Sequence, residues 1–185
     1  MLPVLVDCDG VLADFHTAVL DLAFSRAGIC KSVEEWLVWD TKTALGWDRA
    51  DEEITKAVIE NEFCYRMKAY PGALLFLRTL ERICGEENVL ICTSPWNAEW
   101  MSQRAAWLED VARVPIKRQI QCSRKDLVEG WLVDDSSKHL QERGGHGFCI
   151  AQPWNQDYRG MRGGYRECLH DLCEELGYDP AEVLA

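Results

Sequence analysis

The stretch VLVDCDGVLADF, residues 4–15, places three acidic side chains directly after a short apolar run. A continuous apolar run such as VLV is typical of a strand that is buried on both faces of a parallel sheet. Asp7, Asp9 and Asp14 follow this strand closely enough to repel one another, and burial removes the water that solvates their charges. Another part of the molecule must therefore offset the charge at the end of this strand.

Other apolar runs along the chain predict the remaining strands. Each is short and is followed by polar residues, and continuous apolar runs favour a parallel sheet with both faces covered. These runs are NVLIC (88–92), WLV (131–133), GFCIA (147–151) and the weaker RQIQC (118–122).

Helical segments lie between the predicted strands. PGALLFLRTLERICG (71–85) begins with Pro and ends with Gly, and NAEWMSQRAAWLEDV (97–111) begins with an Asn suited to capping a helix. YRECLHDLCEELG (165–177) has apolar residues at helical spacing and ends at Gly. Alternating strands and helices predict an α/β fold, a doubly wound (Rossmann-like) parallel sheet.

Residues 15–70 interrupt this alternation because no convincing strand occurs there. DFHTAVLDLAFSRAG (14–28) and DEEITKAVIENEF (51–63) have helical patterns, and SVEEW (32–36) carries a capping-box pattern. We therefore predict a small helical cap over residues 15–70. It would be inserted into an α/β core domain formed by residues 1–14 and 71–185.

Composition limits the classes of function. The formal net charge of −11 argues against a broad nucleic-acid-binding surface, which needs clustered Lys and Arg. The nine cysteines include no C-x-x-C pair, which favours free thiols in a reducing compartment over a disulfide scaffold or a zinc site. The N-terminus has no basic segment before an apolar one, and no apolar run is long enough to span a membrane. We expect a soluble, cytoplasmic protein that makes no membrane contact.

Polar side chains follow the predicted strands at one edge of the sheet, because the carboxyl ends of parallel strands line a common crevice. Buried carboxylates need a cation, and oxygen ligands suit Mg²⁺. An ammonium group and two hydroxyls suit a phosphate, and a carboxylate beside a metal-bound phosphate is placed to attack phosphorus. The residues are Asp7, Asp9, Thr93, Ser94, Lys125, Asp134 and Asp135.

Segments carrying these residues resemble, in chain order, the four motifs of the haloacid dehalogenase (HAD) superfamily of phosphotransferases. They are DCDGVLADF (7–15), CTSPWN (92–97), SRKD (123–126) and LVDDS (132–136). More narrowly, the chain resembles the 5'(3')-deoxyribonucleotidase family. The segments that carry this resemblance are GVLADF (10–15), YPGA (70–73), ICTSP (91–95) and QPWN (152–155).

The resemblance implies a role for each residue of the motifs. Asp7 would be the nucleophile that forms an aspartyl-phosphate, and Asp9 would protonate the leaving oxygen and then activate water. Mg²⁺ would be held by Asp7, the backbone carbonyl of Asp9, and Asp134, with Asp135 supporting the site.

The resemblance also implies how the phosphate would be bound. Thr93 and Lys125 would bind the phosphoryl oxygens and stabilise the charge in transfer, and Ser94 would add a further contact. Gly10 lets the backbone turn tightly beside the ion. Asp14 is not implicated in the chemistry and is predicted to cap the first helix of residues 15–70.

In this family a helical cap closes over the active site and contacts the nucleoside. Phe63 and Tyr65, within EFCYR (62–66), and Trp96, beside Thr93, are therefore candidate contacts for the base. Packing within the cap is an equally good interpretation of Phe63 and Tyr65. Five tryptophans are predicted to pack in the cap or the core: Trp36, Trp39, Trp100, Trp107 and Trp131. Four histidines show no metal-ligand spacing and are predicted to be surface or packing residues: His16, His139, His146 and His170. RGGHG (143–147) and RGMRGG (159–164) are predicted to be flexible loops.

Together these features predict a Mg²⁺-dependent phosphomonoesterase that acts on deoxyribonucleoside 5'- or 3'-monophosphates. One alternative is the same chemistry on a polynucleotide 3'-phosphate or a small metabolite, and the acidic composition weighs against the polymer. The other alternative is a catalytically silent nucleotide-binding module, because a fold does not determine a function. The expected partner is a small nucleotide, and the resemblance also implies a homodimer.

Overall fold

The computed structural model describes residues 2–144 and 146–183. The outer ends of the predicted core domain, residues 1 and 184–185, and residue 145 of the RGGHG segment lie outside this description. Of the nine cysteines, seven are buried. In the described residues, no helix combines the length and the apolar character needed to cross a membrane.

Six strands form one sheet in the order β3-β2-β1-β4-β5-β6, and every neighbouring pair is parallel. The predicted doubly wound α/β fold is therefore confirmed. The strands are β1 Val4–Val6, β2 Val89–Thr93, β3 Gln119–Gln121, β4 Trp131–Asp134, β5 Gly147–Ile150 and β6 Arg162–Gly163.

The last strand corrects one prediction. RGMRGG (159–164) was expected to be a flexible loop, but Arg162–Gly163 form the edge strand β6. The backbone explains this, since Cys149 N donates to Met161 O at 2.9 Å and Ala151 N donates to Gly163 O at 2.7 Å. A strand held by so few backbone hydrogen bonds needs no apolar run, so its sequence gives no hydrophobic signal.

Eight α-helices occur in the described residues, and the predicted helical segments are confirmed with small shifts of their ends. They are α1 Phe15–Ala27, α2 Thr41–Leu45, α3 Ala50–Asn61, α4 Ala73–Cys84, α5 Ala98–Asp110, α6 Ser137–Glu142, α7 Tyr165–Glu175 and α8 Pro180–Val183. The 3-10 helices are Val33–Glu35, Glu86–Asn88, Ile116–Arg118, Lys125–Leu127 and Pro153–Asn155.

Local capping chemistry sets the ends of the helices nearest the site. Asp14 accepts a hydrogen bond from Thr17 N at 3.1 Å and so caps α1, as predicted. Helix α1 ends at Gly28, whose φ of 67° lies in the left-handed region. Asn97 caps α5 by accepting from Trp100 N at 2.8 Å.

The two ends of the segment 15–70 lie next to each other in space. Asp14 N donates to Lys68 O at 2.8 Å, and Tyr70 N donates to Leu12 O at 2.9 Å. Between these ends the structure has helices α1, α2 and α3 and one 3-10 helix, without a named strand. Paired ends are what an insertion needs, but the division into a core (1–14 and 71–185) and a cap (15–70) stays a prediction.

Candidate active site

The ends of three adjacent strands bring the acidic and hydroxyl residues together. Strand β1 lies between β2 and β4, where the order of the sheet reverses, and such a point opens a crevice in doubly wound folds. Asp7 follows β1, Thr93 ends β2 and Asp134 ends β4. Asp7 N donates to Val133 O at 2.8 Å, which extends the ladder between β1 and β4 to this position.

Lys125 supplies the positive charge at this edge. Its side chain is fully buried, and its Nζ lies 2.8 Å from Asp7 Oδ1 and 2.7 Å from Asp134 Oδ2. Burial acts to lower the pKa of Lys125, but the two carboxylates outweigh it and raise the pKa, so the ammonium stays charged. The two carboxylates respond differently. Burial raises the pKa of Asp7, whereas Lys125 and His139 overcome the effect of burial on Asp134 and lower its pKa.

Asp7, Asp134 and Asp135 form a cluster suited to a divalent cation. One carboxylate oxygen from each lies within 4.8 Å of the others, and all three residues are buried. Asp135 Oδ2 accepts from Trp154 Nε1 at 3.0 Å, while buried Oδ1 has no hydrogen-bond partner among the described residues. Burial and the charges of Asp134 and Asp7 raise the pKa of Asp135 well above its ordinary value. An unpartnered oxygen in a set of carboxylates fits a hard ion such as Mg²⁺.

Asp9 is in a different environment from this cluster. Its side chain is partly exposed, lines the adjacent cavity and pairs with the buried guanidinium of Arg104. Burial raises the pKa of Asp9, and Arg104 acts against this shift. The cluster of three carboxylates does not include the Asp9 side chain. This leaves the predicted metal contact of Asp9 to its backbone carbonyl, which stays a prediction.

Gly10 is required by both its backbone conformation and its neighbour. Its φ is 81°, and a Cβ at this position would lie 2.2 Å from Asp135 Oδ2. We expect Gly10→Ala to lower the free energy of unfolding by about 2 kcal/mol more than Gly28→Ala, because the overlap adds to left-handed strain. Gly28 has a φ of 67°, and no atom lies within 4 Å of the place that a Cβ would take. Gly28→Ala therefore measures the cost of the left-handed backbone conformation without any steric overlap. Urea unfolding measures both, and equal losses would contradict the close approach.

Thr93 and Ser94 add hydroxyl groups to the same edge. Thr93 is buried, and its Oγ1 has no hydrogen-bond partner within the described chain. Ser94 Oγ lies 3.5 Å from Cys122 O, which is at most a weak hydrogen bond. Both hydroxyls are therefore available to a ligand that supplies acceptor oxygens.

A cavity of about 420 Å³ opens above these residues, a volume typical of small-molecule sites. Its base carries the charged and hydroxyl groups, and its walls are mostly aromatic. The lining residues are Asp7, Asp9, Phe15, His16, Trp39, Thr41, Thr93, Ser94, Pro95, Trp96, Trp100, Lys125, Asp135 and His139. Polar groups at the base and aromatic rings on the walls suit a ligand with an anionic end and a planar apolar end.

The predicted aromatic contacts are only partly brought to this cavity. Trp96 lines it, but the described positions of Phe63 and Tyr65 are outside the lining. Tyr65 turns its hydroxyl to Asp110 Oδ2 at 3.1 Å, and the Phe63 ring packs 6.4 Å from that of Trp100. The proposed site therefore does not include Phe63 and Tyr65.

Trp39 differs from its predicted role as a packing residue, and two histidines predicted to be surface or packing residues also line the cavity. Trp39 is 53% exposed, like its neighbours Leu37 and Val38 just before α2, and it lines the cavity. His139 lies on α6, which begins directly after the acidic pair, and its Nδ1 is 3.1 Å from Asp134 Oδ2. His16 stacks on Trp154 at 3.6 Å and also lines the cavity. Burial lowers the pKa of His16 to about 3, so this imidazole is neutral.

Arg104 is the buried residue near the site that sequence reasoning missed. It lies on α5 between Trp100 and Trp107, at the i, i+4 and i+7 positions of one helix face. The signal was a charged residue within an otherwise apolar stripe, which normally indicates a buried ion pair. The sequence does not identify its partner, Asp9, because that residue lies 95 positions away.

The sequence profile of the family named 5' nucleotidase, deoxy (pyrimidine), cytosolic type C protein matches residues 1–166. No curated protein sequence matches the chain.

Two solved structures share the fold. A haloacid dehalogenase-like hydrolase from Burkholderia xenovorans is 18% identical with a TM-score of 0.51, over 98% of this chain and 97% of that chain. A haloacid dehalogenase-like family hydrolase from Streptococcus pneumoniae is 13% identical with a TM-score of 0.53, over 100% of this chain and 97% of that chain. At these identities the two likenesses concern the fold alone.

Proposed function

The chain belongs to the family named 5' nucleotidase, deoxy (pyrimidine), cytosolic type C protein, and we propose that it hydrolyses deoxyribonucleoside 5'- or 3'-monophosphates with Mg²⁺. Membership makes the chain a nucleotidase or phosphatase of the HAD type, whereas the ion and the substrate are part of the proposal. One observation carries it. A carboxylate (Asp7), an unpartnered hydroxyl (Thr93) and an ammonium (Lys125) line the base of one aromatic-walled cavity.

Asp7 is the proposed nucleophile. One of its carboxylate oxygens bonds to phosphorus while the bond from phosphorus to the nucleoside oxygen breaks, which gives an aspartyl-phosphate. Lys125 is already in contact with Asp7 Oδ1, so it holds the carboxylate and offers positive charge to the transferring group. Thr93 Oγ1 and Ser94 Oγ are the donors proposed for the phosphoryl oxygens.

Asp9 is the proposed acid and base. In the first step its carboxyl gives a proton to the leaving nucleoside oxygen, and in the second the resulting carboxylate takes a proton from the attacking water. Water then cleaves the aspartyl-phosphate, which releases inorganic phosphate and restores Asp7. The partly exposed side chain of Asp9 lines the cavity from which both the leaving group and the water approach.

Mg²⁺ is the proposed cofactor. Asp7, Asp134 and the backbone carbonyl of Asp9 would hold it, with Asp135 in support through its unpartnered oxygen. When bound, the ion neutralises the clustered carboxylates and part of the charge on the phosphate. An anionic substrate must enter a site that already contains four carboxylates, in a protein of net negative charge. Neutralisation of charge by the ion would therefore favour substrate binding.

The walls of the cavity support a nucleoside over a small aliphatic metabolite. Phe15, Trp96 and Trp100 form a group of rings whose centroids lie 5.8–6.4 Å apart. Trp39 is exposed on the same cavity. Aromatic faces stack well on a nucleobase, and this stacking contributes about 1–3 kcal/mol per base in other proteins.

A panel of substrates tests this function. We expect the purified protein with Mg²⁺ to release phosphate from deoxynucleoside monophosphates faster than from the ribonucleotides or from aliphatic phosphates such as glycerol phosphate. Phosphate release is measured for the 5'- and 3'-monophosphates of each base, with EDTA in a parallel series. Turnover confined to aliphatic phosphates or to polynucleotide 3'-ends would move the substrate to that class. No turnover with any member would contradict the enzymatic function itself.

A further inference from the structure

Arg104 is the fully buried cation next to the proposed acid. Its side chain has no exposed surface, and its Nη2 contacts both Asp9 Oδ1 and, at 3.2 Å, Met67 Sδ. A buried guanidinium is costly unless its N–H groups find acceptors, so Arg104 needs the Oδ1 atom of Asp9 at this position. Nε and Nη1 have no hydrogen-bond partner among the described residues, which makes the contact with Asp9 the main compensation for this charge.

Packing fixes the position of this guanidinium. The Arg104 Cζ atom lies 5.5 Å from the ring centroid of Trp100 and 5.3 Å from that of Trp107, within the range of cation–π contacts. Trp107 Nε1 donates to Met67 O at 2.7 Å, which ties α5 to the chain just before α4. The rings and the backbone therefore hold the guanidinium in place before any ligand binds.

Helix α5 is itself fixed by a second polar anchor. Gln103 accepts from Cys64 N at 3.1 Å and donates from Nε2 to Val58 O at 2.7 Å, and both of these bonds are buried. The neighbours of Arg104 on α5, Gln103 and Trp107, are thus both joined to the segment 15–70. Rotation of Arg104 away from Asp9 would require these bonds or the tryptophan packing to break.

We infer that Arg104 is a positioning residue that holds Asp9 so that it can pass a proton to the leaving oxygen of the substrate. This inference rests on the proposed function. The guanidinium engages Oδ1, which leaves Oδ2 as the oxygen for proton transfer. In that step the bond from phosphorus to the leaving oxygen breaks and the carboxyl proton moves to that oxygen. Arg104 keeps its charge throughout and touches neither the phosphate nor the water.

A comparison of two substrates separates positioning of the acid from a general structural role. A nucleoside leaving group needs the proton, whereas p-nitrophenolate is a good leaving group that needs little proton donation. We expect Arg104→Met to lower kcat/KM for a deoxynucleoside monophosphate by about 10²-fold, the size of effect that misplacement of a reacting group produces. We expect kcat/KM for p-nitrophenyl phosphate to change by less than about threefold. kcat/KM is used because it excludes the later step in which Asp9 acts on water.

Two further variants make the comparison decisive. Arg104→Lys retains a cation and is expected to keep the ratio of the two kcat/KM values closer to that of the wild type. Arg118→Met is the matched control, because Arg118 is also a buried guanidinium and pairs with Glu81 at 2.7 Å, away from the cavity. It is expected to reduce the folded fraction and to leave the ratio unchanged.

The outcomes divide clearly. A selective loss with the nucleotide supports the positioning role. Equal losses with both substrates, no loss, or the same shift of ratio in Arg118→Met would overturn it. If Arg104→Met does not fold, the ratio measured on Arg104→Gln decides by the same criteria. Failure of the proposed function is a separate result, since the wild type would then release no phosphate from the deoxynucleoside monophosphate.

Discussion

Asp7→Asn is expected to lower phosphate release by at least about 10³-fold, because an amide cannot act as the nucleophile that forms the aspartyl-phosphate. The variant should nevertheless fold as well as the wild type. Burial raises the pKa of Asp7, so its ionised form opposes folding and the neutral amide removes this opposition. Since a raised folded-state pKa withdraws stability as the pH rises, the variant should gain most relative to the wild type above neutral pH. Steady-state phosphate release and urea unfolding at pH 6 and pH 8 measure the two effects.

Asp14→Asn is the matched control for this substitution. The chemical change is the same, but Asp14 caps α1 and is not part of the proposed machinery. Asn is as good a helix cap as Asp, so we expect both stability and turnover to be retained.

Acid-quenched wild-type protein should carry one added phosphoryl group on Asp7 after mixing with substrate. Substantial turnover by Asp7→Asn, or a phosphoryl group on another residue, would exclude Asp7 as the nucleophile.

The sequence predicts the base of the site because strand ends are local features. Asp7, Thr93 and Asp134 each follow or end an apolar run, and parallel strands place such ends at one edge. The order of the strands was not needed for this inference. In the observed order, β1 lies between β2 and β4, so the terminal residues of these three strands share a crevice.

The walls of the cavity could not be predicted in the same way. Phe63 and Tyr65 lie where the family places aromatic residues, yet Tyr65 bonds to Asp110 on α5 and Phe63 packs on Trp100. Their orientation depends on how α5 packs against the segment 15–70, and the sequence gives no distances between these elements. Trp39 shows the converse, since a tryptophan predicted to be buried is exposed at the cavity.

Charge pairing over long distances was also beyond the sequence. Lys125 was assigned to the phosphate, which its chemistry suits, but its contacts with both Asp7 and Asp134 depend on the turn before β4. Arg143 contributes to that turn by donating to Lys125 O at 2.6 Å. Pairings of this kind arise from the packed structure, so they become visible only when the distances are known.

Lys125→Met is expected to reduce phosphate release by about 10²–10³-fold and to make stability strongly dependent on pH. Without the ammonium, the buried carboxylates lose the charge that offsets them. The folded-state pKa of Asp7, which is already raised, moves further above the unfolded value of about 3.9, and that of Asp134, which Lys125 lowers in the wild type, rises from below this value. The resulting loss of stability is absent below the unfolded pKa and grows as the pH rises towards the folded-state values. The difference in unfolding free energy between the wild type and Lys125→Met should therefore be larger at pH 8 than at pH 5. Each unit by which the substitution raises a folded-state pKa within this pH range adds about 1.4 kcal/mol to the difference.

Lys138→Met is the matched control, because the Lys138 side chain is 79% exposed and lies 3.8 Å from Glu142. An exposed pair of this kind contributes about 0–1 kcal/mol, so its removal should leave stability nearly unchanged at both pH values. Urea unfolding in EDTA measures the gaps for both variants, and a repeat with Mg²⁺ tests the proposed cation site by a readout other than activity. Mg²⁺ should narrow the gap of Lys125→Met, since a divalent ion at the carboxylates replaces the lost charge. A gap that does not widen with pH would mean that Lys125 does not offset the charge of Asp7 and Asp134, and the electrostatic account of the site would then be wrong.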